Sequence, residues 1–105
     1  MDEREFSTAA GRRIEAARIA LGYSTAEMCD LIGVSRPTYS GYITGRIIAP
    51  VLRLEPLVSR GITLDYLFFG VRAGLTVALG DKLASAENGI EMPEGQKLGR
   101  PRTAG

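Results

Sequence analysis

Glycines at positions 22, 33, 45, 61 and 70 each follow the end of a short stretch of spaced apolar residues. Glycine accepts the left-handed backbone that closes a helix, so this punctuation divides the chain into brief helices. The first runs from about Thr8 to Leu21, where Ala10, Ile14, Ala17 and Leu21 fall at spacings of four, three and four on one stripe. Ser24-Thr25-Ala26-Glu27 then forms a capping box, in which serine and glutamate satisfy each other's backbone amides. Met28, Leu31 and Ile32 continue that second helix as an inward stripe until Gly33.

A third helix starts at once, with Ser35 as its cap and Pro37 in its first turn, where the missing amide proton costs little. Tyr39, Tyr42 and Ile43 form its inward stripe, and Gly45 ends it. Pro50 and Pro56 forbid one continuous helix over the following apolar run. A bend through Val51 to Leu54 and a short helix with Pro56 in its first turn are expected instead, ended by Gly61. Thr63 caps a fifth helix stapled by Ile62 and Leu67 and closed by Gly70. Leu75 to Leu83 is apolar enough for either strand or helix, and periodicity does not decide between them.

Composition narrows the chemistry. The absence of histidine excludes Ser/His and Cys/His nucleophilic sites, and the single cysteine, Cys29, supplies neither a disulfide nor a thiolate set for zinc. No Gly-rich phosphate loop follows a strand, so neither enzyme activity, a cofactor nor a metal is expected. Cys29 reads as a small packed residue. The apolar run Leu64 to Val71 contains Asp65 and is far shorter than the roughly 20 residues of a membrane span. No charged and apolar leader opens the chain, which makes the cytoplasm the expected address. Net charge is +1, but from Phe6 to Arg72 eight arginines face five acidic residues. The helical part is therefore more basic than the average, as a polyanion partner requires.

Two short helices joined by a glycine-containing turn are the layout of a helix-turn-helix, whose second helix enters the major groove of DNA. Ser24-Thr25, Met28-Cys29, Ile32-Gly33-Val34-Ser35, Tyr39-Ser40, Tyr42 and Gly45 together resemble the Cro and phage-repressor helix-turn-helix family. Gly61 to Gly70 is similar to the last helix of the same domain. The resemblance implies an all-α, lambda-repressor-like five-helix domain over residues 8–70. It also implies a sequence-specific transcriptional regulator that binds double-stranded DNA as a homodimer and is nucleoid-associated when DNA-bound.

Carried over residue by residue, phosphate contacts fall on Ser24, Thr25, Ser35, Thr44 and Arg46. Base-reading positions fall on Arg36, Pro37 and Gly41, with Thr38 and Ser40 close by on a recognition helix of about residues 36–44. Of these, Arg36 has the fork that bonds guanine O6 and N7 together. The family's arginine-glutamate pair between the first and third helices is lost, because its places hold Arg18 and Ile43; Arg18 must find another carboxylate, face water or contact phosphate, and solvent exposure is the expectation. Tyr39 and Tyr42 read as core. Tyr66, Phe68 and Phe69 are many aromatics for one short helix, so a candidate dimer surface is assigned to them alongside core packing.

The remaining organisation is a flexible N-terminus over residues 1–7, an extension over 71–86 as a candidate dimerisation element, and a disordered tail over 87–105. The tail's Lys97, Arg100 and Arg102 read as a solvated basic end. The alternative function is a protein-interaction module on the same fold, antitoxin-like or an adaptor.

Overall fold

The computed structural model describes residues 1–90. Among them the regular structure is all helical: α1 (Glu3–Ala20), α2 (Thr25–Ile32), α3 (Arg36–Thr44), a 3-10 turn (Val51–Leu54), α4 (Glu55–Val58), α5 (Leu64–Phe69) and α6 (Val77–Gly89). Serine or threonine caps four of these helices. Ser24, Ser35, Thr63 and Thr76 each accept an amide from three residues on, relieving one of the unpaired donors at a helix start. Gly33, Gly45 and Gly70 close α2, α3 and α5 at φ +74°, +83° and +73°. The proline-bearing run divides as its chemistry requires, with the 3-10 turn first and Pro56 in the opening turn of α4.

Three boundaries differ from the sequence expectation. Residues 1–7 are not a loose N-terminus, because Asp2 and Glu5 form a capping box that starts α1 at Glu3. The segment Leu75 to Leu83, open between strand and helix in the sequence, is helical from Val77, with Thr76 as cap and Leu79, Leu83 and Ala86 on one stripe. The tail does not begin at residue 87, since Glu87 to Gly89 complete α6; the rest of that expectation, with Lys97, Arg100 and Arg102, lies outside the described residues.

The hub is α1, which packs against α3, α5 and α6. Ile14, Met28, Tyr39, Leu54, Leu57, Ile62, Tyr66, Leu67 and Leu83 are fully or almost fully buried and fill one continuous core. Cys29 is buried and unbonded within it. The extension is part of this core rather than an addition to it. Leu83 and Ala86 are buried, the Tyr66 hydroxyl donates to the Glu87 carboxylate, Arg72 pairs with the same carboxylate at 3.0 Å, and Arg12 reaches the Glu87 carbonyl at 2.7 Å. No helix of the described residues is long and apolar enough to cross a membrane.

Candidate nucleic-acid interface

What fixes α3 in place is one stripe of α1. Ser7, Gly11 and Glu15 stand four residues apart, and each meets α3 at a different level. The Ser7 hydroxyl donates to the Gly45 carbonyl at 2.6 Å. At Gly11 the two backbones approach so closely that a Cβ would lie 2.2 Å from the Tyr42 carbonyl oxygen and 2.8 Å from that of Ile43. At Glu15 the carboxylate accepts the Tyr39 hydroxyl at 2.7 Å. The helices therefore run antiparallel in contact, with a hydroxyl, a bare backbone and a carboxylate as successive matching points.

Glu15 also accepts Nε and Nη2 of Arg18, both at 2.9 Å, while Arg18 Nη1 donates to the Tyr23 carbonyl at 2.7 Å. Arg18 thus does not face solvent as expected. It replaces the missing interhelical partner by a carboxylate one turn earlier on its own helix, and Tyr39 links that pair to α3. Burial opposes ionisation of Glu15, but the hydrogen bonds from Arg18 and Tyr39 and the Arg18 charge outweigh it and hold the carboxyl below its ordinary value. Burial and the adjacent carboxylate together push the Tyr39 phenol upward.

With Tyr39 and Tyr42 turned inward, Arg36, Ser40 and Thr44 line up at i, i+4 and i+8 on the outer face of α3, all three exposed. Pro37 is exposed beside them. Arg36 makes no hydrogen bond or ion pair among the described residues, and neither does Ser40 through its side chain. Thr44 donates its hydroxyl to the Ser40 carbonyl at 2.9 Å, which leaves its oxygen free to accept. Thr38 departs from the base-reading assignment: its hydroxyl oxygen accepts from Ser35 at 3.0 Å, and the side chain is tied into the helix cap, off the outer stripe. Gly41 is buried, covered by Arg46 and Ile47.

The expected phosphate contacts divide by their local charge. Ser24 is held in the capping box, with Glu27 Oε1 2.8 Å from the Ser24 amide, so a carboxylate stands at the start of α2 and opposes an anion there. Thr25 is half-buried at the same helix end. By contrast α3 has no acidic residue in its first turn and its Ser35 cap is exposed, although Pro37 has no amide proton and the Thr38 and Tyr39 amides are bonded to Ser35. Arg46 is exposed and without a hydrogen bond or ion pair among the described residues.

A further cation joins the set from a distance in sequence. Arg53, in the 3-10 turn, places Nη1 3.1 Å from where a Cβ on Gly33 would be, directly over the turn between α2 and α3. It too is exposed and lacks a carboxylate partner among the described residues. Nothing in the linear pattern marks it, because the bend imposed by Pro50 and Pro56 brings it back.

The aromatic surface needs a correction. Tyr66 is fully buried, with its hydroxyl bonded to Glu87, and takes no part in any exposed face. Phe68 is half-buried against Phe6, their rings stacked with centroids 6.0 Å apart, and only Phe69, 68% exposed, stands clear of the core.

Residues 14–59, from the second half of α1 through α4, match the helix-turn-helix family. No curated protein and no solved structure matches the chain.

Proposed function

Starting from a helix-turn-helix family segment over residues 14–59, we propose that the protein is a sequence-specific DNA-binding transcriptional regulator of the phage-repressor kind, with α3 in the major groove. One observation carries this reading: the outer stripe of α3 holds Arg36, Ser40 and Thr44, while the guanidinium groups of Arg36, Arg46 and Arg53 remain free of carboxylates. Three unpaired cations, one at the start of α3, one against Gly41 and one against the Gly33 turn, together with a helix start with no acid in its first turn, suit a phosphate backbone.

In this reading Arg36 reads guanine, a contact that contributes about 1–3 kcal/mol of discrimination, and Ser40 assists it. Arg53 positions the backbone, joined by Ser35 and Thr44 once their hydroxyls turn from Thr38 and the Ser40 carbonyl to donate to phosphate, with Ser24 and Thr25 contributing more weakly beside Glu27. A homodimer formed around Phe69 would present two such helices to a palindromic site. The test is competition binding to DNA flanking the protein's own gene against random duplex at two salt concentrations. Binding that survives the competitor, with Arg36→Ala losing preference more than total affinity, supports the reading; equal loss on both DNAs sinks the base-reading role.

A second reading, a protein-interaction module on the same fold, is favoured by a different observation. Val51 and Leu52 are 57% and 78% exposed next to the half-exposed Ile47 and Ile48, and together they make an apolar ridge beside α3. DNA binding that vanishes equally on both duplexes as salt rises would favour it.

A further inference from the structure

We infer that Arg46 is a specificity-determining residue, placing its guanidinium at the border of the position that Gly41 leaves vacant on the recognition helix and reading a guanine edge from there. The inference rests on the DNA-binding reading above, and goes beyond the phosphate role that the family resemblance gives to Arg46.

Gly41 sits inside α3, one turn after the exposed Pro37 and beside the exposed stripe, yet it is buried. What covers it is the chain's own return. Gly45 reverses direction at φ +83°, and the Ile47 amide donates to the Gly41 carbonyl at 3.0 Å. A Cβ at residue 41 would lie 2.6 Å and 3.0 Å from Cδ1 and Cγ1 of Ile47 and 3.0 Å from Nη2 of Arg46. Ile47 therefore fills the space of a side chain at residue 41, and the Arg46 guanidinium borders it.

Glycine inside a helix is destabilising relative to alanine. Gly41 is not among the glycines at positive φ, so its use here is its small size. Removing the side chain at 41 opens the slot, and the returning chain fills it with Ile47 and borders it with an arginine whose five donors are unspent among the described residues. Arginine's planar fork is preorganised to bond guanine O6 and N7 together, whereas an ammonium reaches them only as a rotatable point charge on a flexible stem. Ile47 in that slot limits where the guanidinium can swing. Arg36 at the start of α3 and Arg46 folded back beside Gly41 thus give the recognition surface two forks.

The test is selection of bound duplexes from a random-sequence pool by the full chain, repeated with Arg46→Lys and Gly41→Ala. Arg46→Lys keeps the charge and loses the fork. Gly41→Ala keeps Arg46 but displaces Nη2 and Cδ1, both far ends of flexible side chains, so the fold is retained. The expected result is that the unmodified protein enriches a motif, and that both variants lose preference by roughly tenfold or more at one shared guanine position while other positions persist. A motif unchanged at every position in Arg46→Lys overturns the inference and leaves the regulator reading intact. No motif from the unmodified protein overturns both.

Discussion

Replacing Tyr39 by phenylalanine tests how α3 is held against α1. The ring is 2% exposed and stays packed in the variant, so the change removes one hydrogen bond of 2.7 Å to Glu15 and little else. Hydrogen bonds to charged groups contribute about 1.5–3 kcal/mol. Glu15 keeps both bonds from Arg18, and the ion pair retains about a fifth of its side-chain exposure, which places the cost at the lower end, about 1.5 kcal/mol. For a domain of this size that lowers the melting temperature by roughly 6–12 °C. Urea unfolding followed by circular dichroism measures the free-energy loss, and a cycle with Glu15→Ala, which removes the acceptor, isolates the coupling. A loss under about 0.5 kcal/mol, or the same loss with and without the Glu15 carboxylate, would refute the linkage.

Three further outcomes follow from the packing and charge. The Glu15 carboxyl is held below its ordinary value of 4.5, so its stabilisation is complete above that pH and fades as pH falls through the lower folded value; the stability gap between wild type and Glu15→Gln should shrink below about pH 4.5 in acid titration. Leu83→Ala removes a fully buried side chain of α6 and should cost about 2–5 kcal/mol in urea unfolding, whereas under about 1 kcal/mol would show that α6 is not part of the core. Gly45→Ala meets the Thr8 backbone at 2.7 Å, while Gly22→Ala at a similar φ meets nothing within 4 Å. Both bear the left-handed strain of about 1–2 kcal/mol, so a clearly larger loss at residue 45 is expected, and equal losses would discount the close approach.

The helices were legible where caps and glycines bracketed an apolar stripe, as at Ser24 to Gly33 and Ser35 to Gly45. These signals act within a few residues and so appear in the linear chain. What was not legible depends on contacts between distant residues. The Ser7, Gly11 and Glu15 stripe makes sense only once α3 lies on it, although a glycine inside the first helical stretch was a cue to close backbone approach. Arg18 was read as solvent-facing because its interhelical partner is absent; Glu15, three residues earlier, supplies the carboxylate. Tyr66 was misplaced on a surface because its buried hydroxyl finds Glu87 in α6, an element that local periodicity left undecided.

On α3, Arg36 and Ser40 stand out from the motif alone and lie on the outer stripe. Thr38 was not separable from them by proximity, since its hydroxyl is drawn into the Ser35 cap. The burial of Gly41 comes from the chain folding back after Gly45, and Arg53 is brought back by the bend at Pro50 and Pro56; the stops and breaks are legible in the sequence, but the direction the chain then takes is not.

The most direct test of the central claim is a residue-level footprint. Backbone amide resonances of the full chain would be followed during titration with a duplex selected from a random pool. The largest changes are expected on residues 35–46 and on Arg53, with α6 little affected. Changes concentrated on α5 and α6, with Arg36 to Arg46 undisturbed, would contradict it.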